Sequence, residues 1–212
     1  MRRRTRGFTI VEVLVALMIM AVMAAMVWQG VDGIMRSRNA TQERLELTLR
    51  RNTVLAQWEQ DLGSVQESTA VPGLTFDGAS LRLTRRSPEG LQLVTWSLRP
   101  QANGAALYRF AGPVSRTAGE LQEAWLRSQQ LQGLESGQLR MVDGLSQWQV
   151  YFYRGNAWSN AQSSGNLVSA PSPGASAPVL RQALPEGVRL VLAFADGGTA
   201  SGTLTRDISI TP

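Results

Sequence analysis

The chain has 212 residues, 43% of them apolar and 17% charged, with a net charge of +5 carried by 21 arginines and no lysine. It contains neither cysteine nor histidine, which excludes a disulfide-stapled secreted domain, Cys/His zinc sites, cysteine nucleophiles and Ser-His-Asp triads. Removing residues 1–7 takes away four arginines and leaves 17 bases against 16 acids, so bulk charge gives no ground for a nucleic-acid partner.

The chain opens on Arg2-Arg3-Arg4-Thr5-Arg6-Gly7-Phe8-Thr9-Ile10-Val11-Glu12, followed by an apolar run to Val31 in which Val13 to Trp28 carry no charge. About 20 apolar residues in helix cross a bilayer, and the arginines predict that the leader stays cytoplasmic and the rest is delivered to the opposite face. Glu12 is the anomaly. An acidic residue costs about 2.5–3.5 kcal/mol at the bilayer centre, less near an interface, and such a group usually has a partner. A cleaved secretory signal would use a small-residue site, which Ala21 to Ala25 loosely offer, but it leaves Glu12 unexplained. The arrangement Gly-Phe-Thr-Ile-Val-Glu between a basic leader and an apolar run resembles the class III signal of type IV pilins and pseudopilins. That resemblance implies cleavage by a prepilin peptidase between Gly7 and Phe8, N-methylation of Phe8, and Glu12 as the carboxylate that docks the subunit against a neighbour. A free amine at Phe8 would lie one helical turn from Glu12, or close to it on an adjacent subunit.

The helical pattern continues past Gly30 and Gly33. Arg36 to Leu62 holds no proline and is rich in Arg, Glu, Leu and Gln, which predicts one helix from Thr9 to Leu62, capped by Gly63. Leu47, Val54, Leu55, Trp58 and Leu62 share a stripe that packs on the chain's own domain. Leu45 and Leu49 fall on the other side and are partner-facing candidates.

From Leu74 the pattern turns to strands. Leu74–Phe76 and Leu81–Leu83 flank an Asp77-Gly78 turn, Leu91–Leu98 is apolar on both faces, and Ala106–Phe110 follows an Asn103-Gly104 turn. Thr117-Ala118-Gly119-Glu120 has the form of a capping box, with Leu121 and Trp125 four apart, and predicts a short helix or an ordered loop. Further strands are expected at Leu139–Val142, at Trp148–Tyr153 before an Arg154-Gly155-Asn156 turn, at Val188–Phe194 and at Thr203–Ile210. Residues 159–178, rich in Ser, Ala, Gly and Pro, read as a flexible loop. Asp77, Asp143 and Asp196 each precede glycine and read as turn residues. Arg85-Arg86 reads as a solvated strand end, and Arg206 as a charge guarding an edge strand. Trp58, Trp96 and Trp148 sit on apolar stripes and belong to the core; Trp125 and Trp158 are the partner-facing candidates among the aromatics. No metal ligand set is assigned and no cofactor is expected; carboxylate-only catalysis and calcium binding stay open, since a calcium site needs several converging oxygen ligands that a sequence does not show.

The globular part resembles the J-type minor pseudopilins of type II secretion. The likeness rests on the order of Leu81–Arg86, Leu91–Leu98, Leu107–Phe110, Leu139–Trp158 and Leu184-Pro185-Glu186-Gly187-Val188-Arg189-Leu190. It runs from Gly7 to about Ile210, broken at Thr117–Gln138 and at the Ser/Pro-rich stretch. It implies an α+β pilin-like fold, with a long N-terminal helix packed on a domain of two small, mostly antiparallel β-sheets. The implied layout is a cleaved leader (1–7), a transmembrane and assembly half-helix (8–31), and a periplasmic domain (32–212), with helix over 32–62 and β structure over 74–212. The implied role is non-enzymatic. It is a minor pseudopilin in the tip complex that initiates pseudopilus assembly and exoprotein export across the outer membrane, anchored in the inner membrane by a single pass. Its implied partners are I-type and K-type minor pseudopilins, other pseudopilins, the prepilin peptidase and exoprotein substrates. The alternative is a minor pilin of a type IV pilus, serving adhesion, twitching or DNA uptake; the absence of cysteine leans away from it.

Overall fold

The computed structural model describes residues 7–102, 104–131, 133, 135–162, 183–195 and 201–210. The leader residues 1–6, Asn103, Asp196 and positions 163–178 of the expected loop lie outside the described residues. Two compact units divide the chain, residues 1–50 and 51–212.

Helix α1 runs over Ile10–Gly63 and passes through Gly30 and Gly33 without a break. In the first unit its side chains are overwhelmingly exposed. In the second unit its last three turns present Val54, Trp58, Asp61 and Leu62 inward, the i, i+4, i+7, i+8 spacing of one helical face. Gly63 ends α1 as an ordinary helical residue and not as a left-handed cap. The terminal carbonyls are taken instead by Ser64, whose Oγ donates to Gln60 O at 2.7 Å and Asp61 O at 3.3 Å.

The strands are β1 (Leu74–Phe76), β2 (Ser80–Ser87), β3 (Gly90–Gln101), β4 (Gly104–Ser115), β5 (Gln138–Arg154), β6 (Ala157–Asn160), β7 (Gly187–Phe194) and β8 (Thr203–Ser209), with helix α2 (Ala118–Ser128) between β4 and β5. The Asp77-Gly78 turn joins β1 to β2 as expected: Asp77 Oδ1 accepts from the Ala79 and Ser80 amides at 3.0 and 2.7 Å. At the β5–β6 hairpin, Gly155 (φ +53°) and Asn156 (φ +67°) supply the two positive-φ residues of a tight turn. Thr117 and Glu120 form the capping box of α2, with both reciprocal bonds present.

The expected two sheets are, among the described residues, a single antiparallel one, in the order β1-β2-β3-β4-β5-β7-β8 with β6 paired to β5. The reason is β5. Its first half pairs with β4 from Gln138 to Leu145, and its second half pairs with β7 from Leu145 to Tyr153. Asp143-Gly144 is therefore no turn. The chain continues through Gly144 at φ +69°, the ladder registers shift on either side of it, and the bulged strand changes neighbours without stopping. Ser159 and Asn160, expected in a loop, belong to β6.

On the face turned to α1, Trp58 meets Trp96 edge-on at 5.1 Å and Trp148 at 6.5 Å, and Phe76 meets Trp148 at 5.3 Å. All three tryptophans are buried, as their stripes predicted. On the other face α2 lies against β3 and β4, where Leu121, Leu93 and Thr95 are buried.

Asp61 stands at the end of this core and is fully buried. Arg109 grips it with a fork, Nε to Oδ2 at 2.7 Å and a terminal nitrogen to Oδ1 at 2.8 Å. Arg85 donates at 2.9 Å, Trp96 Nε1 at 2.9 Å and Gln57 at 3.1 Å. Arg85 is thus not a solvated strand end: it follows Leu81 and Leu83 on the inward face of β2 and reaches the last turn of α1, while Arg86 is exposed. A buried carboxylate needs this many donors, since an unpaired one would be too costly to bury. Arg206 lies on the inward side of the edge strand β8 and donates to Glu59 at 2.5 Å.

Candidate functional site

The candidate site is the start of α1. Thr9 is its N-cap, and Glu12 stands at the third helical position. The Glu12 carboxylate accepts from the Thr9 amide at 3.0 Å and from the Thr9 hydroxyl at 3.0 Å, and the Thr9 hydroxyl accepts from the Glu12 amide at 3.3 Å. This is a capping box, which satisfies amides that the first turn of any helix leaves open. Its signal, Thr9-Ile10-Val11-Glu12, stands in the sequence, although charge alone directs Glu12 to the amine of Phe8. Within a single chain the carboxylate already has a use. It holds the first helical turn in shape next to the Gly7–Phe8 bond.

Gly7 and Phe8 precede the helix and are exposed, Phe8 by 88%. Nothing approaches within 4 Å of the Cβ position of Gly7. The peptide bond between them is therefore sterically open, and a glycine on its amino side offers no obstacle to an enzyme that must enclose it. From Ile10 to Val31 the large apolar side chains stay exposed on every side of the helix. A helix apolar all round is a membrane span or an element of a larger assembly, and among the described residues α1 alone has the length and composition to cross a bilayer.

The other sequence candidates lie elsewhere. Leu45 and Leu49 are exposed on α1 and, with Ile34 and Thr41, border a shallow groove of about 700 Å3 along the helix. Trp125 is half-buried on α2 beside the exposed Leu126. Trp158, 36% exposed on β6, packs against Tyr153 at 5.2 Å and carries the Arg189 guanidinium over its ring at 4.3 Å. Arg189 in turn forks onto Asp207 at 2.7 and 2.6 Å. Those bonds hold the Asp207 carboxyl below its ordinary range and push Arg189 above its own. Trp125 on α2 and Trp158 on β6 stand on separate elements of the second unit. Among the described residues no group of three or more acidic side chains converges as a metal site would require.

The family model described as the prokaryotic N-terminal methylation motif matches residues 2–28. The chain carries a class III prepilin N-methylation motif, the signal of type IV pilin-like proteins. The match covers the basic residues, Gly7, Phe8, Glu12 and most of the apolar run, the stretch in which the structure places the exposed bond and the capped helix. Such a motif implies processing by a prepilin peptidase, membrane anchoring through the N-terminal helix, and assembly with other pilins. No curated protein matches the sequence.

Proposed function

We propose that this protein is a minor pseudopilin of a type II secretion system, of the J-type, and that it helps form the tip complex from which the pseudopilus assembles. In this reading the leader is cut after Gly7, Phe8 becomes the methylated terminus, and Glu12 docks the subunit in the membrane. The mature domain stands in the periplasm, where I-type and K-type minor pseudopilins are its neighbours and exoproteins pass it on their way out.

The observation that carries the reading is the combination at the N-terminus: an open Gly7–Phe8 bond, a carboxylate at Glu12 on the first turn, and an apolar helix exposed on all sides. A helix like that has no stable place in water, so it is held by lipid before assembly and by neighbouring helices after it. The J-type assignment draws its support from the order of the β-segments that follow, and from a fold resting on a tryptophan core without disulfides.

Deleting the gene while measuring exoprotein release, twitching and DNA uptake side by side tests the assignment. Lost secretion with normal motility is expected. Lost motility or DNA uptake with normal secretion would assign the protein to a type IV pilus instead.

A further inference from the structure

Along one edge of β5 the ladder is interrupted. Pairing with β4 ends at Leu145, opposite Ala105. On the same edge pairing resumes at Val150, whose carbonyl accepts from the Ala161 amide at 3.1 Å, and β6 continues it; β7 takes the opposite edge. The interruption is about 15 Å long, the length of four extended residues. Two bonds fix which backbone groups face it. Tyr153 O accepts from Glu186 N on the β7 side, and Val150 O accepts from Ala161 N on the other. Alternation then turns the backbone groups of Gln149 and Tyr151 toward β7, and those of Trp148 and Val150 toward the interruption. Among the described residues the Trp148 amide and carbonyl and the Val150 amide have no partner there. Both residues are buried, 5% and 1% exposed, where backbone groups are ordinarily paired.

Beside this edge lies a pit of about 460 Å3, walled by Gln147–Val150, by Asn160 and Gln162 past the end of β6, and by Phe76–Gly78 at the β1–β2 turn. Hydrogen bonds set the walls: Trp148 Nε1 donates to Gly78 O at 3.0 Å, Gln162 Nε2 to Asp77 O at 3.1 Å, and the Gln162 amide to Asn160 Oδ1 at 3.0 Å. Gly78, at φ +96°, lies under the Gln162 carboxamide, and a Cβ there would come within 2.1 Å of Nε2. These bonds leave Gln162 Oε1 as a spare acceptor and Asn160 Nδ2 as a spare donor among the described residues. The one ionised group in the walls, Asp77, is balanced by Arg82 at 2.5 Å and by two amides. The two rings, Trp148 and Phe76, pack edge-on against each other at 5.3 Å, so neither a cation nor a sugar ring is offered an open aromatic face.

We infer that the pit receives a short, uncharged, extended segment of a partner polypeptide, which adds as a strand to the open edge of β5 at Trp148. An amide and a carbonyl side by side are what one residue of an antiparallel strand presents to another, and β4 and β6 already pair in that sense on this edge. Asn160 and Gln162 would take the neighbouring peptide groups. Main-chain bonds supply the affinity in such strand addition, and a charged side chain in the pit would find no counter-charge. The inference does not depend on which secretion or pilus machine the protein serves.

The test uses the full chain in detergent micelles, isotope-labelled at the glutamine carbonyl carbon and the valine nitrogen. Gln149-Val150 is the sole Gln-Val step in the sequence, so one amide resonance reports from the open edge. The probe is acetyl-Thr-Val-Thr-Val-amide, titrated against its analogue methylated at every peptide nitrogen and against N-acetylglucosamine. The probe should shift the Val150 resonance saturably, with a midpoint of about 1 mM, and the methylated analogue should not. Gln162→Ala, at an exposed position, should raise the midpoint about fivefold, as loss of one neutral hydrogen bond does. Three results would each overturn the inference: no shift at about 20 mM probe, an equal response to the methylated analogue, or an unchanged midpoint in Gln162→Ala. A saturable response to N-acetylglucosamine alone would make the pit a saccharide site and overturn it as well.

Discussion

Asp61→Asn is the most informative single change in the second unit. The substitution is nearly isosteric, so packing around Trp58 and Trp96 is kept and only charge and donor pattern change. Asp61 is fully buried, and the side chains of its two arginine partners are only 9% (Arg109) and 21% (Arg85) exposed. With the carboxylate gone, two guanidinium groups share a site with no counter-charge, and one of the two accepting oxygens is replaced by an NH2 group aimed at donors. Breaking a buried ion pair from one side costs about 3–5 kcal/mol. Domains of this size hold about 5–15 kcal/mol in all, and each kcal/mol is worth about 2–4 °C in Tm. The expected loss is therefore about 6–20 °C. Arg85→Met should cost clearly less, since Asp61 keeps the Arg109 fork and Arg85 is partly solvated. The assay is urea unfolding of the full chain in micelles, followed by near-UV circular dichroism of the buried tryptophans, with m compared between variants. A loss below about 1 kcal/mol for Asp61→Asn, or Arg85→Met equal to it, would refute the claim that this carboxylate balances the buried arginines.

Glu12→Leu should still be cut after Gly7 but assemble poorly, so mass spectrometry should find the mature methylated terminus while secretion falls; normal secretion would defeat the docking role. Gly144→Ala places a side chain at φ +69° with nothing within 4 Å of its Cβ. Its cost is thus purely conformational, about 1–2 kcal/mol, read as a small shift of the urea midpoint. Asp207 is held below its ordinary value of 3.8 by Arg189. Because its folded pKa is the lower one, its contribution is fully present above pH 3.8 and is lost as pH falls through the folded value. Asp207→Asn should therefore lower stability modestly in the neutral region, flatten that part of the acid limb of a stability-versus-pH curve, and converge with the parent chain once pH falls below the folded value.

What the sequence disclosed was local. The long helix could be read because Arg36 to Leu62 lacks proline, the α2 cap because Thr117 and Glu120 are three apart, and the hairpin turns because Asp77-Gly78 and Gly155-Asn156 supply the needed backbone freedom. The Asp61 cluster was hidden because its arginines lie 24 and 48 positions away on different strands. Alternation held the clue, since Arg85 follows Leu83 and Arg109 follows Leu107 on inward positions, but a charge in a strand looks the same whether it faces water or a buried partner. The single sheet was hidden for a related reason. Asp-Gly is a turn signal at Asp77 and a bulge at Asp143, and only the partner strands decide which. At the N-terminus, the residues of the motif were all legible, whereas the capping role of Thr9 needed the helix boundary itself.

Strand β5 belongs to two ladders at once, and this binds their fates. If β7 and β8 separated from it, the second half of β5 would lose its main neighbour while its first half remained held by β4. Opening of the C-terminal hairpin alone would expose Val188, Leu190 and Leu192 together with Trp148 and Phe152. So much apolar surface makes partial opening nearly as costly as global unfolding, and amides on both sides of Gly144 should exchange with solvent as one cooperative unit. The bulge that lets one strand serve both halves thereby removes the natural place for the domain to come apart.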